Sequence, residues 1–259
     1  MRMMKKVLGT VTVLALSVSL LAGCGSTAAS PVSSAASTAA ESTTSSVVSE
    51  TTSAAADENA AAAAQLLNDL TGSYQELWPV ILADEYQQTW LDDCTALVGE
   101  ENAEAAFEKL SSMVTSDVYG EDAVEAYANG GGAYFCGFTN SLATLTFDGE
   151  TSTISGTDKD GNVLFSHTYH YIGMEPVHGL YEFESDDADS GEFTYFFLAP
   201  DTSAETYHIE FRYGSDAEAL SQYDAGEYAY WVASGISTDC DQTMIDNCIE
   251  LFCTENLAG

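Results

Sequence analysis

The stretch "TYHIEFRYG", residues 206–214, sets Thr206, His208, Glu210 and Arg212 at alternate positions, with Tyr207, Ile209, Phe211 and Tyr213 between them. On a β-strand this alternation sends the polar set to one face and the apolar set to the other. An imidazole and a carboxylate two residues apart have Cα atoms about 6.5–7 Å apart, from which both can reach one divalent ion with bonds of about 2.0–2.2 Å. The same spacing also fits a charged ladder in which Arg212 pairs with Glu210. The chain holds 4 histidines. His167 and His170 in "HTYHYIG" are an odd step apart and point to opposite faces of a strand, and His178 in "EPVHG" sits at a turn. "DKDGN", Asp158–Asn162, opens like a calcium loop, but its glycine comes at the fourth place and Tyr169 stands at the twelfth, so it reads as a hairpin turn. "ESDDADSGE", Glu184–Glu192, reads as an acidic connection between strands. No phosphate-cradling glycine loop, G-x-S-x-G elbow or H-E-x-x-H occurs, and no nucleophile accompanies His208 and Glu210, so binding without catalysis is expected.

The elements that must hold these residues change character along the chain. Residues 60–128 read as helical, with Ala60–Leu70 rich in helix formers, apolar residues at helical intervals around Pro79, and a further helix in "EENAEAAFEKLSSMVTSDV". After "NGGG", Asn129–Gly132, the period becomes 2. Strands are expected in "AYFCGFTN", "LATLTFDG", "STISGTDKDGN", "VLFSHTYHYIG", "GLYEFES", "EFTYFFLAP" and "TYHIEFRYG", with Asp148-Gly149 and Asp160-Gly161 as hairpin dipeptides. Six or seven short antiparallel strands make a barrel or a sandwich, hence an α+β domain. Ser215 is a candidate N-cap for a short helix in "SDAEALSQY". A terminal helix follows, with Met244, Ile245, Cys248, Ile249 and Phe252 as an apolar stripe that closes over the sheet.

The first 23 residues carry Arg2, Lys5 and Lys6 ahead of the apolar run "VLGTVTVLALSVSLLAGC", the pattern of a secretory signal. "LLAGC" resembles a bacterial lipobox, which implies lipidation of Cys24 and an exported protein anchored to the outer face of the cytoplasmic membrane. Residues 24–62, almost all Ser, Thr, Ala, Val and acid, offer little to bury and are expected to form a disordered tether. The folded domain is then 63–259, long enough for one core. Without residues 1–23 the chain holds 3 Lys+Arg against 41 Asp+Glu, a net charge of 3 − 41 = −38. Such a surface repels phosphates and excludes nucleic acid as a partner, while it concentrates cations. Beyond Cys24 lie Cys94, Cys136, Cys240, Cys248 and Cys253. They lack the C-x2-C spacing of zinc fingers and read as structural, with one or two disulfides among them.

"DLTGSYQELWPVIL", Asp69–Leu82, resembles the opening motif of the ZinT family, aromatic-x-Gly-x-Trp-Gln-Ser-Val-Tyr-Pro. Gly72, Gln75 and Pro79 match, and Tyr74 and Trp78 exchange the aromatics. The hairpins of "LTFDGETSTISGTDKDGNVLFSHTYHYIG", then "GLYEFES", "HIEFRYGSDAEAL" and the closing "YAYWVASGISTDCDQTMIDNCIELF" follow in the family's order over residues 65–255. The resemblance implies a calycin-like, lipocalin-type barrel with N-terminal helices and a closing C-terminal helix, binding a divalent ion, usually zinc, outside the cytoplasm. It implies partnership with a metal-uptake transporter. Of the family's three histidine ligands, the first of the His-x-His pair falls on His208 and the second on Glu210. The earlier one falls near Asp201 or, with another gap placement, near Phe196, and His178 is an outside candidate. His208, Glu210 and Asp201 are thus the expected ligands. Oxygen donors in place of imidazole shift preference from zinc toward Mn²⁺ or Ca²⁺. The other function class is a metal-free barrel that binds a small molecule or a cell-surface partner.

Overall fold

The computed structural model describes residues 47–258. The signal-like segment, Cys24 and residues 25–46 lie outside the described residues. Eight antiparallel strands close into a barrel in sequence order, β1 (Gly72–Glu76), β2 (Thr144–Asp148), β3 (Thr153–Thr157), β4 (Val163–Met174), β5 (Tyr181–Ser185), β6 (Tyr195–Leu198), β7 (Ile209–Gly214) and β8 (Ala233–Ser237), with β8 pairing back to β1. Closure leaves no open sheet edge to pair with another chain, and it decides between the barrel and the sandwich that alternation left open.

Two strands lie where the sequence pattern pointed elsewhere. β1 falls inside the stretch read as helical, because "GSYQE" satisfies its backbone on both sides, against Leu145–Phe147 of β2 and Gly235–Ser237 of β8, and drops Tyr74 into the core. Helical propensity is a weak prior beside two ladders of backbone hydrogen bonds. β8, "ASGIS", has too little alternation to stand out. Conversely, "AYFCGFTN" is not a strand. It runs beside residues 230–234, touching them through single bonds such as Phe135 N–H to Tyr230 O (2.9 Å) and Ser234 N–H to Cys136 O (3.0 Å).

The interior is aromatic. Phe147, Phe165, Tyr169, Phe183, Phe196, Phe211 and Tyr213 are all buried in one cluster with Ile154 and Leu145, and rings such as Phe196 and Phe211 pair at 6.4 Å. Helix α1 (Val47–Asp69) adds Ala63, Leu66 and Leu67 to this cluster, and Leu70 joins it just after the helix ends. It starts at Val47, so residues 47–62 of the expected tether are helical, in keeping with the alanine run that ends it. No described helix is long and apolar enough to cross a membrane.

A second core lies outside the barrel. Helices α2 (Leu77–Ile81), α3 (Gln87–Val98), α4 (Glu100–Ser112) and α7 (Gln242–Leu257) pack Leu77, Trp90, Leu110, Ile245, Cys248, Ile249 and Cys253 around Ile236 of β8. The apolar stripe of α7 is therefore used as expected, although it lies on the helices and the outer wall at β8. Helix α5 (Glu121–Ala128) and α6 (Ala217–Leu220) complete the set. α6 is capped by Asp216, whose carboxylate accepts from Glu218 N–H and Ala219 N–H, and not by Ser215. Both hairpin dipeptides form turns, and Asp158 turns its carboxylate onto the backbone N–H groups of Asp160 and Asn162 (2.9 Å each), as a hairpin and not a calcium loop would.

Candidate metal centre at the seam between barrel and helices

β7 starts at Ile209, one residue after His208. Its odd residues Ile209, Phe211 and Tyr213 enter the barrel core, so Glu210 and Arg212 face outward, Glu210 opposite Ser234 of β8. His208 sits in the last turn of the β6–β7 connection beside α7, with Cys248 Sγ 3.9 Å from its Nδ1. The preceding residue, Tyr207, holds φ at 66°, a left-handed conformation that costs a non-glycine residue about 1–2 kcal/mol. Its ring packs with the helical core. The imidazole is thus delivered by a locally strained backbone that tertiary packing keeps in place.

Nδ1 of His208 lies 2.8 Å from the carbonyl oxygen of Thr206. A carbonyl only accepts, so Nδ1 carries the proton and donates it. Nε2 is then the atom left for other work, and it faces Glu210 Oε1 at 3.8 Å. A tetrahedral ion with bonds of about 2.0–2.1 Å holds two ligand atoms about 3.3–3.4 Å apart. A closing movement of roughly half an ångström brings these two donors to that separation.

Arg212 does not pair with Glu210. It is fully buried and donates to three backbone carbonyls of the segment that wraps the outer wall, those of Leu220, Gln222 and Tyr228, with its guanidinium 4.1 Å from the centre of the Tyr223 ring. The charged-ladder alternative therefore fails, and Glu210 is left without that cation.

Asp201, on the same connection as His208, shares this electrostatic neighbourhood. Burial pushes its carboxyl pKa up, the charge of Glu210 adds to the rise, and His208 opposes it. Glu255 of α7 is likewise pushed up by burial, with Glu210 and Asp201 adding to the rise and His208 opposing it. For His208, burial alone would lower the pKa, yet its contacts with Cys248 and with the Glu210 carboxylate raise it well above the ordinary value. Burial is thus the first cause of both raised carboxyls, and like charge adds to it. Among the described residues, no three His, Cys, Asp or Glu side chains stand at metal-binding distances from one another.

The structure thus sets His208 beside Glu210, with Asp201 close enough for their charges to act on its carboxyl. Phe196 is buried inside the barrel, which removes it as the alternative to Asp201. His178 lies elsewhere, its Nδ1 3.4 Å from the buried carboxylate of Glu175 without a hydrogen bond and its ring 3.8 Å from that of Tyr223. His167 and His170 take opposite faces as expected, one pairing with Asp187 (2.8 Å) and the other with Asp186 (2.7 Å). Sequence reading missed Cys248 and Glu255 as neighbours of the site. Their seven-residue spacing puts both on one helix face, but nothing in the sequence says that this face meets His208.

No protein-family model matches the chain, and no curated protein does. Among solved structures it is similar to the Zn(II)-bound ZinT-like domain of Streptococcus pneumoniae AdcA, at 15% identity, over 71% of this chain and 89% of that one, with a TM-score of 0.45. Zn(II)-bound AdcA itself matches over 70% of this chain at 15% identity and a TM-score of 0.42, and only 34% of AdcA is covered.

Proposed function

We propose that the protein binds a divalent metal ion, zinc foremost, through His208 Nε2 with Glu210 and Asp201 as carboxylate ligands, and that it does so as an exported lipoprotein anchored at Cys24 that hands metal to an uptake system. The observation that carries the reading is the fixed tautomer of His208. The Thr206 carbonyl takes the Nδ1 proton, the arrangement by which proteins orient a metal-ligating imidazole and strengthen its other nitrogen as a donor. Glu210, unclaimed by Arg212, lies 3.8 Å from Nε2, which supports it as the second ligand, and a bound cation would favour the charged forms of Asp201 and Glu255, which burial and like charge disfavour. An imidazole donor favours zinc over Ca²⁺ or Mn²⁺.

Calorimetric titration of the purified, tag-free protein with zinc tests the assignment. His208→Ala is expected to abolish stoichiometric binding, and Glu210→Ala and Asp201→Ala to weaken it by about tenfold or more. Binding by His208→Ala equal to that of the unaltered chain overturns the site.

A further inference from the structure

The helical core holds two cysteines that the metal reading does not use. Cys94 lies in the middle of α3 and Cys253 in the last turns of α7. Both are fully buried, and their sulfurs face each other at 3.9 Å. Each thiol has the other as its hydrogen-bond partner. Around them stand apolar groups, including Trp90, which meets Phe252 edge-on at 5.9 Å. Helices α3 and α7 are directly packed. The remaining described thiols are otherwise placed: Cys248 lies against His208, Cys136 belongs to the segment beside β8, and Cys240 precedes the start of α7.

We propose that Cys94 and Cys253 join as a disulfide when the chain folds outside a reducing compartment, fastening α7 to α3. A sulfur pair in contact needs to close to about 2.05 Å, which side-chain rotation on two packed helices supplies. The bond links residues 94 and 253, so the loop it closes holds nearly all of the barrel. It also fixes the helix that brings Cys248 and Glu255 to His208. In the exchange, two protein thiols and one small-molecule or oxidoreductase disulfide become one protein disulfide and two thiols of the donor, with no other reactant. Burial raises the pKa of both thiols. The attacking thiolate is therefore scarce once the helices are packed, and the bond forms before α7 settles.

The test uses the full chain, refolded from denaturant in a buffer of reduced and oxidised glutathione, then alkylated under denaturing conditions and mapped by mass spectrometry. The expected result is a linked pair of peptides carrying Cys94 and Cys253, about 2 Da lighter than their sum, with Cys136, Cys240 and Cys248 alkylated. Reduction before heating should lower Tm by about 5–15 °C, a shift kept by Cys240→Ser and lost in Cys94→Ser. Alkylation of both Cys94 and Cys253, or a bond from either to another cysteine, overturns the proposal. Because the map is made on the unaltered chain, a variant that fails to fold does not blunt it.

Discussion

Replacing Arg212 by methionine keeps most of the side-chain volume and removes the guanidinium on which the outer wrap of the barrel hangs. Residues 215–230 contain one helix of four residues, α6, and the carbonyls of Leu220, Gln222 and Tyr228 all turn inward to this one side chain. Hydrogen bonds to a charged group contribute about 1.5–3 kcal/mol each, and the contact with the face of Tyr223 about 0.5–2 kcal/mol. Against these stands the cost of burying the guanidinium, which the variant no longer bears. The net expected loss is about 3–5 kcal/mol. Urea unfolding followed by tryptophan fluorescence reads it, since Trp231 lies in the same core as Tyr228. Limited proteolysis should show new cleavage within 215–230. The companion variant is Glu210→Gln. Were Arg212 and Glu210 paired, this change would destabilise the fold and the two substitutions would couple. The arrangement described here expects little loss from Glu210→Gln and a coupling below about 0.5 kcal/mol. A loss under about 1 kcal/mol for Arg212→Met with an unchanged slope, or strong coupling to Glu210, refutes the reasoning.

Three further outcomes follow from the same geometry. The raised pKa of His208 keeps a proton on Nε2 that zinc must displace, so below that pKa affinity should fall by about tenfold per pH unit, and calorimetry in two buffers of different ionisation enthalpy should register the released proton. In the metal-free protein the folded pKa of His208 lies above its unfolded value of about 6.5. Its stabilisation is therefore complete below that pH and is lost as pH rises through the folded pKa; melting curves from pH 5.5 upward should show this decline, and His208→Gln should flatten it. Gly149→Ala places a Cβ 2.4 Å from Asn68 Cα and 2.5 Å from Leu67 O, backbone atoms with no room to yield, so α1 should part from the β2–β3 hairpin at a cost of about 1–3 kcal/mol, seen in chemical denaturation.

The barrel was largely legible because its signals are local. Alternation and Asp-Gly turns mark β2 to β7, with "TYHIEFRYG" misread by three residues at its start. The misses share one cause. β1 and β8 are the strands that close the barrel onto itself, one 72 residues or so before its partner β2 in the chain, and their strand character comes from the two neighbours each finds. No short window of sequence holds that information. "AYFCGFTN" failed in the opposite way. Its apolar alternation serves to bury Cys136 and Phe138 between elements, with single bonds to residues 230–234 where a ladder was expected.

The site divides along the same line. The spacing of His208 and Glu210 made them candidates, but on spacing alone the ordinary polar face of a strand, with its charged ladder, was the favoured reading over a metal pair. What separates the two is a set of contacts made over distance: Arg212 drawn away by carbonyls 8 to 16 residues further on, and α7 setting Cys248 beside the imidazole. The proton on Nδ1 is placed by Thr206, only two residues away, yet that bond depends on the left-handed turn at Tyr207, which packing against the helices holds. A polar residue on an amphipathic strand thus becomes a candidate ligand through the backbone that bends just before the strand begins. It follows that substitutions in the helical core, far from any ligand atom, should alter metal affinity by releasing Tyr207, whereas substitutions inside the barrel of equal cost to stability should not.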